Sequence, residues 1–441
     1  MFRLNHLRGT IFALSTAPSK SAIAVVRTSG PLSSKLFPIE KPRIAKFAKL
    51  LDNNGELIDT AILTFYKGPE SYTGEDVLEI STHGSIAVIN KLCNYLENKG
   101  CRKAERGEFT YRAYLNKKMK ESEIESLGSL LHAETDVQRK AALLPRKNDR
   151  HVINKWRTTL INVLAIYEAQ IDFAEDDHVD EGHLHLSLHT INSLSAEIDK
   201  YLVDASRLLK IKQGIKIAIC GSPNVGKSSF INKICKDEVS IVSEIAGTTR
   251  DVIQRYLNIG NYPLKLSDTA GIQSSDDLLE SIGINRALIA AKEADILFFI
   301  FDPTQPRETQ LQLLDRLKKE FLNHIVVIVN KIDSVEAPTE VDPNEIRISC
   351  KNGQGFEKLY SNIEALLSSN YSIPDSIVFQ SSYIAPLQSI KTYLNQMMLE
   401  TDIVLKAELL RQSIQQIQRL SNDVDFEDVL ESLFSQFCIG K

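Results

Sequence analysis

Cysteine is scarce in this chain: six in 441 residues, at Cys93, Cys101, Cys220, Cys235, Cys350 and Cys438, with no C-x-x-C pair. That spacing excludes a disulfide framework and a zinc module, and it fits a reducing compartment. No run approaches the roughly 18 apolar residues that cross a bilayer, so no membrane partner is expected. Neither charge dominates: 52 Lys and Arg stand against 57 Asp and Glu, a formal net charge of −5. A protein that wraps nucleic acid by bulk electrostatics is therefore excluded, while a local basic groove is not. With only 20 Gly and 14 Pro, collagen-like and low-complexity readings fall away too. What remains is a globular chain, 43% apolar, long enough for about three domains with separate cores.

The ends carry little that is decisive. No acidic residue precedes Glu40, whereas Arg3, Arg8 and Lys20 are basic. Such a start reads either as a mitochondrial presequence remnant or as a short basic tail before a first strand at residues 10–15. Cys438 stands fourth from the end, where prenylation would need it, but Gly440 and Lys441 suit that reaction poorly.

Hydrophobic periodicity divides the interior. Up to about residue 118, the short β-type runs IFALS, AIAVVRTS, DTAILTFYK and DVLEIST are separated by turn formers and interrupted by one helical stretch, IAVINKLCNYLENKG. This predicts an N-terminal α+β domain, residues 1–118. From 119 to 212 the period becomes 3.6, with Ile124, Leu127, Leu130 and Leu131, then Ile153, Trp156, Leu160, Leu164 and Tyr167, on recurring faces. Residues 213–372 alternate apolar strands such as IKIAIC, ADILFFIFD and HIVVIVN with helical segments, as parallel βα units require. Helical periodicity returns over 373–441, with Ile403, Leu410, Ile414 and Ile417. The economical reading is a multidomain chain whose all-α helical domain is split by an inserted α/β P-loop domain; four domains in series is the competing one.

The insert contains the chemistry. After IKIAIC, residues Gly221-Ser222-Pro223-Asn224-Val225-Gly226-Lys227-Ser228-Ser229 fill the G-x-x-x-x-G-K-S template. Its backbone N–H groups cradle phosphates, Lys227 reaches the β and γ phosphates, and the Ser228 hydroxyl ligates Mg2+. Downstream, Thr248 and Thr249 lie in a polar loop where a threonine can complete the Mg2+ shell. Asp268-Thr269-Ala270-Gly271 follows a strand, and Asn330-Lys331-Ile332-Asp333 follows another. The Asp333 carboxylate can accept from N1–H and N2–H of guanine, a donor pair that adenine lacks. Ser349-Cys350-Lys351 then offers further contacts to the base. The order predicts a hydrolase of GTP.

With SYTGEDVLEISTHG, GEFTYRAYLNKK, IDFAEDD and a terminal FCIGK added to these motifs, essentially the whole chain resembles the tRNA-modifying GTPases of the wobble uridine, the TrmE or MnmE family and its eukaryotic mitochondrial counterpart. The resemblance implies an N-terminal folate-binding and dimerising domain, a split helical domain and an inserted G domain. It implies modification at C5 of uridine 34 in certain tRNAs, with a flavin- and NADH-dependent partner and a tetrahydrofolate one-carbon donor, 5-formyl or 5,10-methylene. The residue after Gly271 is Ile272, not the glutamine that would position water, and the resemblance puts that role on Glu280. It implies a K+ ion at the arginine-finger position, with Asn224, Ser243, Ile245 and Thr248 as ligands. Folate contacts fall on Arg27, Glu79, Lys118 and Lys441, and Cys438 is a candidate for carbon transfer. Two other functions stand beside this one: a ribosome-assembly GTPase, which shares the SPNVGKS and GTTRD segments, and a non-catalytic folate-binding scaffold. The chain departs from the family at APSKSA, NKKMKES and LSNDVD. That divergence and the basic start lead us to expect a mitochondrial member over one of the bacterial cytoplasm.

Overall fold

The computed structural model describes residues 9–38, 41–144, 149–172, 181–237, 255–266, 292–321, 324–335, 342–374, 383–421 and 440. The chain forms two units, Met1–Leu131 with Asp423–Lys441, and His132–Asn422.

The first unit is α+β. Its strands are β1 (Ile11–Leu14), β2 (Ser21–Ser29), β3 (Lys46–Leu51), β4 (Leu57–Tyr66), β5 (Val77–Gly84) and β6 (Arg102–Lys103), in the order β3-β4-β5-β2-β1-β6. All neighbours are antiparallel except β1 and β6. Helices α1 (Ile86–Asn98), α2 (Glu108–Leu115) and α3 (Glu121–Leu131) complete it. Alternation along the strands sends Phe12, Val26, Leu63, Leu78 and Ile80 to one face, where Leu92 and Leu96 of α1 close a core. Leu127 packs beside buried Ile124 of α3, whereas Leu131 is exposed.

β3 was not anticipated. On this edge strand, KFAKLL sets Lys46 on the core face with Ala48 and Leu50 and exposes Phe47 with Lys49 on the other, which blunts the apolar signal. The chain near its end returns to this unit: Ser15 Oγ donates to the Gly440 carbonyl at 3.4 Å. Gly440 has φ +107°, and a Cβ there would lie 2.6 Å from the Leu14 carbonyl oxygen, so only glycine fits.

The second unit holds helices α4 (Asp136–Ala142), α5 (Asp149–Asp172) and α6 (Glu181–Gln213), then strand β7 (Ile215–Cys220), helix α7 (Lys227–Asp237), and strands β8 (Arg255–Ile259), β9 (Tyr262–Leu266) and β10 (Ile296–Phe301). Helix α8 (Arg307–Glu320), strands β11 (His324–Val329) and β12 (Glu345–Arg347), and helices α9 (Phe356–Asn370), α10 (Ile384–Leu399) and α11 (Ile403–Ser421) follow. The strands form one sheet, β12-β11-β10-β7-β9-β8, parallel except for the β8–β9 hairpin. Every residue of β10 is buried. Phe298 and Ile300 face a core with Phe230 of α7 and Leu359 of α9, while Leu297 and Phe299 face Leu314 and Leu317 of α8. Apolar residues on both faces explain why ILFFIF shows no alternation.

The helices before and after that sheet pack together. Ile153, Trp156, Leu160 and Tyr167 of α5 and Ile191 and Ile198 of α6 share one core with Leu387, Ile390 and Leu394 of α10 and Leu410, Ile414 and Ile417 of α11. The helical domain is thus split in sequence and continuous in space, and the α/β region is its insert. Among the described residues, no helix is long and apolar enough to cross a membrane.

Trp156 is fully buried here and donates to Glu197 Oε2 at 2.8 Å, and it is the chain's one tryptophan. Leu394→Ala, on the far half of the split, will cost about 2–5 kcal/mol. The expected result is a lower denaturation midpoint in Trp156 fluorescence; an unchanged midpoint would contradict a shared core.

Candidate functional site

The carboxyl ends of β7, β10 and β11 meet at one edge of the parallel sheet, and their loops carry the nucleotide motifs. The phosphate loop leaves β7 and runs into the N-terminus of α7, which opens at Lys227 with exposed Ser228 and Ser229 hydroxyls beside it. Free N–H groups and the helix dipole both favour an anion there. Ser228 presents a hard oxygen of the kind Mg2+ takes. Lys227 is pushed below its ordinary pKa range by burial, and its Nζ donates to the carbonyls of Gly221 and Ser222 at 2.9 and 2.8 Å. Asn224 is exposed with a left-handed backbone, φ +61°. Its side-chain carboxamide is an oxygen donor suited to a hard monovalent cation.

The base loop is tied to this one. Asn330 Nδ2 donates to the Val225 carbonyl at 2.9 Å, while its Oδ1 accepts from Cys350 N–H at 3.2 Å. Lys331, also left-handed, donates to the Asn224 carbonyl at 2.7 Å. Asp333 is exposed and accepts from the buried Ser349 hydroxyl at 2.6 Å, which holds its carboxyl below the usual range. The carboxylate is thereby aimed and ionised, ready to take paired donors from a base. Lys351 N–H donates to Ser349 Oγ at 3.3 Å. Burial raises the Cys350 thiol to about 11, so it stays protonated at neutral pH.

The structure therefore brings together Asn224, Val225, Gly226, Lys227, Ser228 and Ser229 with Asn330, Lys331, Asp333, Ser349, Cys350 and Lys351. Ser243, Ile245, Thr248, Thr249, Asp268, Thr269, Ala270, Gly271, Glu280, Cys438 and Lys441 lie outside the described residues.

In the first unit, Arg27 and Glu79 are cross-strand partners on β2 and β5. Arg27 donates through Nε and Nη2 to Glu79 Oε1 at 3.0 and 2.7 Å. They face away from α1 with Tyr66, whose hydroxyl is 3.4 Å from Glu79 Oε2, and Arg27 stands 5.7 Å from the Tyr72 ring centroid. Lys118 is exposed, with its stem against Gly74 of the same loop as Tyr72. A half-buried Arg–carboxylate pair flanked by two tyrosines fits a flat ligand bearing N–H donors and a carboxylate.

Sequence reasoning missed Asp302, which is buried and pairs with Lys331 at 2.6 Å. Its signal is an acid placed directly after a strand buried along its whole length. Tyr66 and Tyr72 were missed as well, since strand register brings Tyr66 to Glu79 and the β4–β5 loop brings Tyr72 to Arg27.

The family model described as GTP-binding protein TrmE N-terminus matches residues 10–118, and the MnmE helical domain model matches residues 122–438. The tRNA modification GTPase MnmE of Rickettsia rickettsii (strain Sheila Smith) is 36% identical over 451 residues, 98% of this chain and 100% of its own length. That of Rickettsia typhi (strain ATCC VR-144 / Wilmington) is 36% identical over 448 residues, with the same coverage. Among solved structures, a variant of Aquifex aeolicus Era bound to GDP.AlF4- shares 26% identity over 43% of this chain and 69% of its own, at a TM-score of 0.27. No conclusion rests on so loose a superposition.

These relatives correct one expectation. They are bacterial, so the mitochondrial assignment does not stand. The stretch free of acids that prompted it runs through β1 and β2, interior strands whose inward residues Ile11, Phe12, Ala24 and Val26 are buried. Burial accounts for the lack of carboxylates at those inward positions, though not over the exposed residues 17–23.

Gly226 joins the two loops, with φ +97° and its missing side chain directed at Asn330 Nδ2. Gly226→Ala will push Asn330 off the Val225 carbonyl. The expected outcome is at least a tenfold loss of GDP affinity by titration calorimetry, with the far-UV spectrum unchanged; wild-type affinity would refute the close packing.

Proposed function

The chain belongs to the TrmE/MnmE family of tRNA-modification GTPases, and on that premise we propose that it hydrolyses GTP to GDP and phosphate in support of modification at C5 of uridine 34 in certain tRNAs. The observation that carries the guanine assignment is the exposed Asp333 carboxylate, aimed by Ser349 and tied through Asn330 and Lys331 to the phosphate loop. A site built on those acceptors leaves a carboxylate unpaired against adenine, which rejects ATP.

The finer assignments extend this reading. Ser228 and Thr249 are the proposed Mg2+ ligands, and Asn224, with Ser243, Ile245 and Thr248, the proposed K+ ligands; such an ion adds positive charge where the transition state redistributes negative charge. Glu280 is the proposed water-orienting residue. Arg27, Glu79, Lys118 and Lys441 are proposed to hold a tetrahydrofolate derivative that supplies the carbon, with a flavin- and NADH-dependent protein as partner. We assign the folate and dimerisation domain to 1–118, the helical domain to 119–212 and 373–441, and the G domain to 213–372. Dimerisation through the first of these is supported by an apolar patch: Phe47 and Ile62 are cross-strand partners on the face away from α1, 70% and 48% exposed.

Cells lacking the gene test the function directly. Nucleoside analysis of their tRNA should show loss of the wobble-uridine substituent, restored by the wild-type gene. Glu280→Ala should bind GTP, hydrolyse it at least a hundredfold more slowly and fail to restore the nucleoside; wild-type turnover should be faster in potassium than in sodium. Intact tRNA with defective ribosomal particles would favour ribosome assembly, and full complementation by Glu280→Ala would favour the scaffold.

Phe47→Glu with Ile62→Glu should convert a dimer to monomers in sedimentation velocity. A dimer that survives both changes would move the contact elsewhere.

A further inference from the structure

A phosphate loop has two sides, and contacts on the outer one orient its peptides. In a trans peptide the carbonyl of one residue and the N–H of the next point in opposite directions. Turning N–H groups towards a phosphate therefore turns the preceding carbonyls away, and a donor held on such a carbonyl fixes the orientation of its peptide plane. Here each carbonyl from residue 221 to 225 accepts from a side chain. Lys227 serves Gly221 and Ser222 at 2.9 and 2.8 Å, Lys331 serves Asn224 at 2.7 Å, and Asn330 serves Val225 at 2.9 Å. These donors are motif residues. The remaining carbonyl, that of Pro223, accepts from Gln305 Nε2 at 3.0 Å, and Gln305 belongs to no motif.

Gln305 lies in a short turn after β10 that is itself fixed at several points. Gln305 N–H donates to the Asp302 carbonyl at 3.1 Å. Asp302 Oδ1 accepts from Thr304 N–H and Oγ1 at 2.9 and 2.7 Å. Gln310 of α8 spans the Asp302 backbone, accepting from its N–H and donating to its carbonyl, both at 2.9 Å. The other carboxylate oxygen of Asp302 holds Lys331 Nζ at 2.6 Å, directing it at the Asn224 carbonyl. A single turn thus grips neighbouring peptides of the loop, one directly and one through a lysine.

We propose that the turn Asp302–Gln305 is a positioning element for phosphate binding: Gln305 directly, and Asp302 through Lys331, hold the Pro223 and Asn224 carbonyls outward so that the N–H groups of Asn224 and Val225 stay aimed at the β-phosphate. The proposal rests on reading residues 221–228 as the phosphate loop. Neither residue touches nucleotide. Their effect should track the phosphates and leave binding of the guanosine part alone when Gln305 is changed.

The test compares GDP with GMP, which lacks the β-phosphate, by titration calorimetry on the full chain. Gln305→Leu keeps the size and removes the donor; it should weaken GDP about fivefold, the worth of one hydrogen bond, and leave GMP affinity and the thermal midpoint unchanged. Gln305→Glu sets an acceptor against a carbonyl and should weaken GDP further. Asp302→Asn breaks a charge-assisted bond and should weaken GDP about tenfold or more. An unchanged GDP-to-GMP ratio in both Gln305 variants overturns the proposal, as does an equal loss for both nucleotides. A wild-type chain that binds GDP no better than GMP would instead overturn the phosphate-loop reading on which it rests.

Discussion

The sheet order follows from the need to serve both faces of one loop. β10 stands between β7 and β11, so the base motif after β11 is separated from the phosphate loop after β7 by two strand spacings, on the order of 10 Å. Short side chains do not cover that distance. Lys331 crosses it because lysine is long, whereas Asn330 meets Val225 because the phosphate loop comes over the end of β10, where a Cβ on Gly221 would clash with the Ile300 carbonyl oxygen. The turn after β10 necessarily occupies the space between, which is why Asp302 meets Lys331 and Gln305 meets Pro223. A parallel sheet places all these loops at one edge; an antiparallel β10 would send its turn to the other.

The opposite edge of that sheet has its own fixed point. Asp295, just before β10, accepts from Lys216 N–H at 2.9 Å and pairs with Lys210 of α6 at 2.8 Å. Lys210 and Lys216 bracket the passage from α6 into β7, where Gly214 is left-handed at φ +87°. One strand, buried along its length, thus carries a partnered aspartate beyond each end. The helical core closes independently through α5, α6, α10 and α11, so the insert can have its own hydrophobic layers without interrupting theirs. This arrangement needs the two junctions to lie near each other, and a shared α6–α10 surface provides that: Lys391 of α10 pairs with Asp199 of α6.

Legibility in the sequence tracked how strictly chemistry constrains each residue. The phosphate and guanine motifs were readable because few residue types place N–H groups, a hydroxyl and a carboxylate at those points. β10 and β11 were readable because both faces are covered and their runs are continuously apolar. β3 and β8 were not, since edge strands such as KFAKLL and RYLNI carry charged or polar residues among the apolar ones. Gln305 and Asp302 were invisible for another reason. They act on backbone carbonyls more than 70 residues away, directly or through Lys331, and no local spacing encodes that reach. The acid-free start, read together with divergence from the family, misled in part because composition reports burial as well as targeting.

The Arg27–Glu79 pair shows the same limit and bears on the ligand. Their separation of 52 residues conceals a contact that strand register makes inevitable: Ala13, Arg27, Glu79 and Thr64 form one row across four strands. Side chains 20% and 25% exposed are partly solvated, so the pair is neither a deeply buried charge nor a freely screened one. Both Arg27 donors converge on Oε1, and Oε2 keeps only the long contact from Tyr66 at 3.4 Å. A ligand offering an N–H to Oε2 would therefore find an acceptor already oriented by Arg27, and would not have to break the pair. A ligand carboxylate can be met as well, because Arg27 gives Glu79 its Nε hydrogen and one from Nη2, which leaves the second Nη2 hydrogen and both on Nη1. Lys118, exposed beside Gly74, is a second cation next to the loop that carries Tyr72. On this geometry the proposed ligand would set a donor-bearing ring against Glu79 Oε2, with Arg27 and Lys118 left for its negative charge.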